Sequence, residues 1–219
     1  MATASQPPST EPATVELPDG ARIVVRPVRP GDKSAIAEAF ERLGPESRYR
    51  RFFAPLERLT SRDLAYLTEV DHHDHEALVA FVEGSGEPLG AARFVRSADP
   101  AEAEVAVAVV DHWHQRGVAT ALLERLVERA REEGIERFLA LVLDGNRDAL
   151  ELFEHLAPGS HPARRSASGN LELVIDLPAP GERLGGSRLG RLLRAAAGGL
   201  VINPWRVISR RISVGTRAV

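Results

Sequence analysis

Asp111-His112-Trp113-His114-Gln115-Arg116-Gly117-Val118-Ala119-Thr120-Ala121-Leu122-Leu123 follows a run of small and β-branched residues, Ala103 to Val110, and leads into a segment with helical apolar spacing. The run reads as a strand. Val118 to Glu132 reads as a helix, with Ala121, Leu122, Leu126 and Ala130 on one stripe and Gly134 at its end. A helix start offers unpaired backbone N–H groups and a partial positive charge, which suits a pyrophosphate. Gly117 is expected to let the main chain approach phosphates where a Cβ would collide, and Ala119 to keep the next turn open. Arg116 adds a cation and Thr120 a hydroxyl donor. On spacing alone, a glycine that merely starts a helix after a strand fits as well. Neither Gly-x-x-x-x-Gly-Lys-Ser/Thr nor Gly-x-Gly-x-x-Gly occurs, which disfavours a nucleoside-triphosphate loop and a dinucleotide fingerprint.

Working outward, Asp19-Gly20 marks a turn before a strand over Ala21 to Val28, and Asp32 is placed to cap a helix carrying Ile36, Ala39, Phe40 and Leu43. Glu46 to Phe53 and Thr60 to Thr68 read as two further helices, the latter capped by Thr60 or Ser61. Ala77 to Glu83 and Leu89 to Val95 form a hairpin through Gly84-Ser85-Gly86. Downstream lie a strand over Ile135 to Leu143, a helix capped by Asn146 and running through Leu156, and a strand over Leu171 to Leu177. This order predicts an α/β fold whose mixed sheet is antiparallel early and gains a parallel βαβ half.

The chain of 219 residues is long enough for one well-buried domain with extensions, and its 43% hydrophobic and 27% charged residues are those of a globular protein. Cysteine is absent, which removes thiolate nucleophiles and disulfides and is consistent with a cytoplasmic location. The boundaries expected are a disordered leader over 1–14, a folded domain over 15–177 and a basic tail over 178–219. The tail carries eight arginines against Glu182, which leaves −10 on residues 1–177 for a total of −3. An acidic core argues against nucleic acid as a partner.

The stretch 111–123 resembles motif A of the GNAT N-acetyltransferase superfamily, Arg/Gln-x-x-Gly-x-Gly/Ala, with His114, Gly117 and Ala119 at its defined positions and His114 departing from the usual Arg or Gln. Asn146-Arg147-Asp148-Ala149-Leu150-Glu151-Leu152-Phe153 resembles the second half of that fold, where an Asn near the helix start contacts the pantetheine arm. Ser47-Arg48-Tyr49-Arg50-Arg51-Phe52-Phe53, Leu67-Thr68-Glu69-Val70-Asp71-His72 and Ala77-Leu78-Val79-Ala80 are similar to the acetyltransferase domain of Pat-type bacterial protein lysine acetyltransferases. In that group a cyclic-nucleotide-binding or acyl-CoA-synthetase-like region is often fused to the domain, for which 219 residues leave no room. The resemblance implies a GNAT fold, acetyl-CoA as co-substrate without a metal, and a protein lysine or a small amine as acceptor. It also implies that Val107, Val109, Gln115, Arg116, Gly117, Val118, Ala119, Thr120 and Asn146 hold the co-substrate.

Acetyl transfer needs a neutral amine, whereas a free lysine amine has a pKa of about 10.4, so a base must take the proton. Glu104 is the candidate. Strand alternation puts it on one face with Ala106 and Ala108, while Val105, Val107 and Val109 face the other side. Glu102 shares that face as a rival, and both also read as solvated acids at a strand edge. Backbone N–H groups near Val107 to Val109 suit the developing oxyanion. Phe153 stands where many GNAT enzymes carry a tyrosine acid, but a thiolate with a pKa of about 8.5 leaves without one.

Asp71-His72-His73-Asp74-His75 reads as a polar loop before a strand; consecutive ligands cannot all reach one ion, so no metal site is assigned. Arg48, Tyr49, Phe52 and Phe53 either line the acceptor entrance or anchor their helix. The tail stripe of Leu189, Leu192, Leu193, Ala196, Ala197, Leu200 and Val201 beside arginines suits docking or disorder better than a membrane surface. A small-amine acetyltransferase and a non-catalytic acyl-CoA-binding regulatory module remain the competing readings.

Overall fold

The structure, a computed structural model, describes residues 11–52, 56–142, 164–165 and 171–177. Its strands are β1 (Ala13–Glu16), β2 (Arg22–Pro27), β3 (His75–Val82), β4 (Pro88–Arg96), β5 (Glu102–Val109), β6 (Arg137–Val142), β7 (Arg164–Arg165) and β8 (Leu171–Asp176). The helices are α1 (Lys33–Glu41), α2 (Pro45–Phe52), α3 (Ser61–Thr68) and α4 (Val118–Glu132). The eight strands form one sheet in the order β1-β2-β3-β4-β5-β6-β8-β7. Every pairing is antiparallel except that of β5 with β6. The mixed α/β architecture is the one expected; the parallel part is confined to the single pair that α4 connects.

Strand alternation divides the side chains between two faces. Ile23, Val25, Leu78, Ala80, Ala92, Phe94, Val105, Val107 and Val109 form one cluster with Leu122, Leu123 and Leu126 of α4. Each of those leucines is 1% exposed or less, and burying one contributes about 2 kcal/mol. On the opposite face Ala77 and Val79 pack with Val28 and Ile36, and Phe40, Leu43 and Phe52 join α1 and α2. α3 begins with a reciprocal cap: Thr60 Oγ1 accepts from Asp63 N, and Asp63 Oδ2 accepts from Thr60 N at 2.8 Å.

Two boundaries differ from the sequence reading. Ala13 and Thr14, assigned there to the leader, pair with Val25 and Val24 in β1, so the ordered sheet begins before residue 15. Asp32 precedes α1 but does not cap it. Its carboxylate instead accepts from Arg29 N at 2.7 Å and from both terminal nitrogens of Arg26 at 2.8 and 2.7 Å, closing a 3-10 turn over Pro30–Asp32. A cationic partner outcompetes the neutral cap.

The far end of α4 is held to β3 by a buried ion pair. Arg129 Nε donates to Glu76 Oε2 at 3.0 Å, with the two side chains 6% and 1% exposed. Arg129 also meets the His72 carbonyl, Glu132 and Glu133, while Glu76 accepts from Ala77 N and bonds His72 Nδ1. Burial pushes the Arg129 guanidinium down, but the hydrogen bonds it donates to three carboxylates outweigh this and hold the group above the usual arginine range. Arg129→Met leaves the Glu76 carboxylate buried without its cation and is expected to lower the unfolding free energy by about 3 kcal/mol in urea melts. Adding Glu76→Gln in the same chain should restore most of the loss; no restoration would show that the pair is not the cause.

Candidate functional site

The parallel ladder is short. Glu102, Ala103 and Glu104 pair with Arg137, Phe138 and Leu139, and there the pairing stops, although β5 runs on to Val109. On its other edge β5 stays paired with β4 throughout, from Ser97 N→Glu102 O to Val110 N→Leu89 O. Antiparallel hydrogen bonding alternates between the two edges of a strand. Glu104, Ala106 and Ala108 therefore direct their main-chain groups at β4, and Val105, Val107 and Val109 direct theirs into the gap beside β6. Among the described residues the Val107 main chain has no strand opposite it there, and the Val109 carbonyl accepts from His114 Nε2 at 2.8 Å.

α4 starts beside that gap. Gln115 and Gly117 have φ of 61° and 100°, and the first helical bond at this end is Ala121 N→Gly117 O. The N–H groups of Val118, Ala119 and Thr120 have no intrahelical acceptor, as at any helix start. Thr120 Oγ1 is buried and has no hydrogen-bond partner among the described residues. These donors and the Val107 and Val109 main chain suit a ligand with phosphate at one end and an amide-bearing arm at the other. The Val118 and Ala119 side chains, 1% and 5% exposed, lie in the core; what they offer a ligand is main chain.

Gly117 is glycine for a different reason from the one expected. A Cβ there would lie 3.0 Å from Pro18 Cδ and 3.6 Å from Leu17 Cδ2, so the turn between β1 and β2 fills the space reserved in the sequence reading for phosphates. The left-handed φ supplies a second reason. Arg116 is engaged by the same turn: Nε donates to Asp19 Oδ2 at 2.6 Å, and the guanidinium lies 3.7 Å from the Trp113 ring centroid. A hydrogen bond from Ala21 N, joined by Arg116, holds the Asp19 carboxyl below the usual range. Gln115 is exposed. Asn146 and Phe153 lie outside the described residues, as do Phe53 and the basic tail.

Glu104 sits at the fork, the last residue of the parallel ladder, opposite Val95 on β4 and Leu139 on β6. It shares its face with Ala106 and Ala108. Its rival Glu102 accepts from Arg137 Nε at 3.0 Å, and Arg137 also reaches Asp99. Glu102 is thus tied into an ion pair that joins β5 to β6. The same face opens into a cleft lined by apolar side chains of and beside α1, α2 and α3 and by Gly90, Ala91, Arg93 and Ala108 of the sheet. Gly90 permits this floor, since a Cβ there would meet the Ala108 carbonyl at 2.3 Å. Phe52 lines the cleft and packs edge-on against Phe40, whereas Tyr49 is 47% exposed. Arg48 stacks on Phe40 and bonds three main-chain carbonyls, so it buttresses α2.

Sequence reasoning missed Arg93. A guanidinium in the middle of the apolar run Leu89 to Val95 was the available signal. In the loop 71–75, Asp71 Oδ1 accepts from the N–H groups of His73, Asp74 and His75, His72 bonds Glu76, His73 bonds Glu133 and Asp74 bonds Arg96. Among the described residues no group of three or more His, Cys, Asp or Glu is placed to hold a metal, and no helix is long and apolar enough to cross a membrane.

Comparison with known proteins identifies the family and agrees with the fold. Residues 36–157 match the family described as Acetyltransferase (GNAT) family. The acetyltransferase Pat of Mycolicibacterium smegmatis is 34% identical over 146 residues, which cover 66% of this chain but only 44% of that protein. The crystal structure of the GNAT domain of S. lividans PAT superposes with a TM-score of 0.67 at 37% identity, covering 76% of this chain and 97% of that one. YncA from Salmonella typhimurium, a putative acetyltransferase solved with acetyl-CoA, shares the fold at a TM-score of 0.52 and 20% identity over 74% of this chain and 97% of its own.

Gly117→Ala is expected to lower the unfolding free energy by about 1–2 kcal/mol from the left-handed backbone alone. Gly117→Asn, which that conformation tolerates better, should still be destabilised because its Cβ meets Pro18. A Gly117→Asn chain as stable as the parent in urea melts would leave only the backbone reason.

Proposed function

This chain belongs to the acetyltransferase (GNAT) family of acyl-CoA N-acyltransferases, and from that premise we propose that it moves an acetyl group from acetyl-CoA to a primary amine, foremost a protein lysine. One observation carries the reading: among the described residues β5 and β6 part after Glu104 and Leu139, which leaves the β5 main chain beyond Glu104 with no strand opposite it and the start of α4 one loop further on. The similarity to Pat-type domains supports the lysine acceptor, and the acetyl-CoA seen with YncA supports the co-substrate.

The thioester of acetyl-CoA supplies the activated acyl carbon and a thiolate leaving group. Val118, Ala119 and Thr120 would hold the diphosphate through their N–H groups, with the Thr120 hydroxyl as a further donor. Val107 and Val109 would hold the arm through main-chain bonds, and a main-chain N–H of this stretch would receive the carbonyl oxygen as it becomes anionic. Gln115 would border the diphosphate, and Arg116 would reach it only on giving up its Asp19 contact. Glu104 takes the proton from the attacking nitrogen, directly or through water, as the carbon–nitrogen bond forms and the carbon–sulfur bond breaks.

The apolar lining of the cleft, with a single guanidinium in its floor, favours a second reading, transfer to a small amine. Labelled acetyl-CoA incubated with the chain and a cell lysate separates the two by whether label enters protein or small-molecule product. Glu104→Gln should retain acetyl-CoA binding in calorimetry while kcat falls by about 100-fold or more. Unchanged turnover in that variant would remove Glu104 from the reaction.

A further inference from the structure

Arg93 is 2% exposed, on the sheet floor of the cleft. Nη1 bonds His75 Nε2 at 3.1 Å, Nη2 donates to the Leu67 carbonyl at 3.1 Å, and the guanidinium lies 5.7 Å from the Tyr66 ring centroid. Among the described residues no carboxylate forms an ion pair with it. The contrast with Arg129, surrounded by Glu76, Glu132 and Glu133, and with Arg125, which has Glu128 and Glu132 nearby, is direct. A buried cation without a counter-ion is costly, and the carbonyl at the end of α3 offsets only part of that cost. Burial pushes Arg93 down to about 10, so it keeps its charge at neutral pH.

We propose that the cleft beneath α1, α2 and α3 is an acceptor subsite for a carboxylate, with Arg93 as its counter-ion. The proposal rests on the acyl-transfer reading above and names the acceptor class: an amine that carries a carboxylate close by. Register supplies the spacing. Arg93 pairs with Ala106, two residues along β5 from Glu104 on the same face, and such diagonal neighbours lie about 7–8 Å apart. The amine sits at Glu104 and the carboxylate at Arg93, while Phe40, Leu43, Phe52, Leu59 and Leu67 cover the carbon chain between them. A lysine ammonium is repelled from the Arg93 end, which fixes the direction in which the acceptor lies. The carboxylate belongs either to a free amino-acid-type acceptor or to an acidic side chain beside the target lysine of a polypeptide.

The test titrates the full chain with hexanoate and with hexanamide. Hexanoate is expected to bind about tenfold tighter, and Arg93→Gln to abolish that difference while Arg93→Lys keeps part of it. Equal affinities in the parent chain, or saturable binding of neither probe, overturn the proposal without recourse to any variant. Labelled acetyl-CoA then identifies the source, using lysine peptides with Glu or Gln beside the lysine and free glutamate against glutamine. An Arg93-dependent preference for the Glu peptide assigns the carboxylate to a polypeptide, and one for glutamate assigns it to a small acceptor. Acetylation with no preference in either pair sinks the subsite alone. Failure to bind acetyl-CoA at all, with hexanoate still preferred, sinks the acyl-transfer reading and the acceptor role with it.

Discussion

Two parallel strands that separate after three residues leave a strip of main chain whose hydrogen bonds no other strand among the described residues completes. Buried backbone groups are rarely left unpaired, so such a strip is stable only where a ligand or solvent reaches it. The rest of the molecule is arranged around that opening. β4 stays paired with β5 along its length, including the part that has no β6 partner among the described residues. α4, packed across β3, β4 and β5, brings its start to the open end and anchors its finish with Arg129 in a cage of carboxylates. The position of Glu104 at the fork follows from register alone.

Much of this was legible in the sequence because it is local. The limits of α4, Val118 to Glu132, follow from apolar spacing and flanking glycines, and the cap at Thr60 from the types at positions 60 and 63. Alternation along Ala103 to Val110 assigns Glu104 and Val107 to opposite faces without reference to any other strand. What was not legible depends on partners distant in the chain. Arg116 looks like a free cation until Asp19, 97 positions earlier, is placed against it. Gly117 looks like room for a phosphate until Pro18 is seen to occupy that room. Asp32 has the residue type of a cap and the environment of an arginine ligand. Glu102 and Glu104 are equivalent by pattern, and nothing local shows that Arg137 ties Glu102 into an ion pair.

The two faces of the sheet treat charge in opposite ways. Toward α4 the buried pair Glu76–Arg129 is closed on itself, its donors and acceptors matched within the protein. Toward α1–α3 the buried Arg93 meets a ring nitrogen, a carbonyl and the Tyr66 phenol, and among the described residues no carboxylate. The first arrangement fixes helix α4 on the sheet, and the second leaves a positive potential at the base of an apolar space.

Contact between Pro18 and Gly117 has an evolutionary corollary. The hairpin tip and the loop before α4 are sterically complementary, since a Cβ at position 117 would come within 3.0 Å of Pro18, so side-chain volume gained at position 117 must be surrendered at position 18. Among descendants of this chain the two sites would drift as a linked couple, and a change in the length of the hairpin would be felt first in the orientation of the loop it supports.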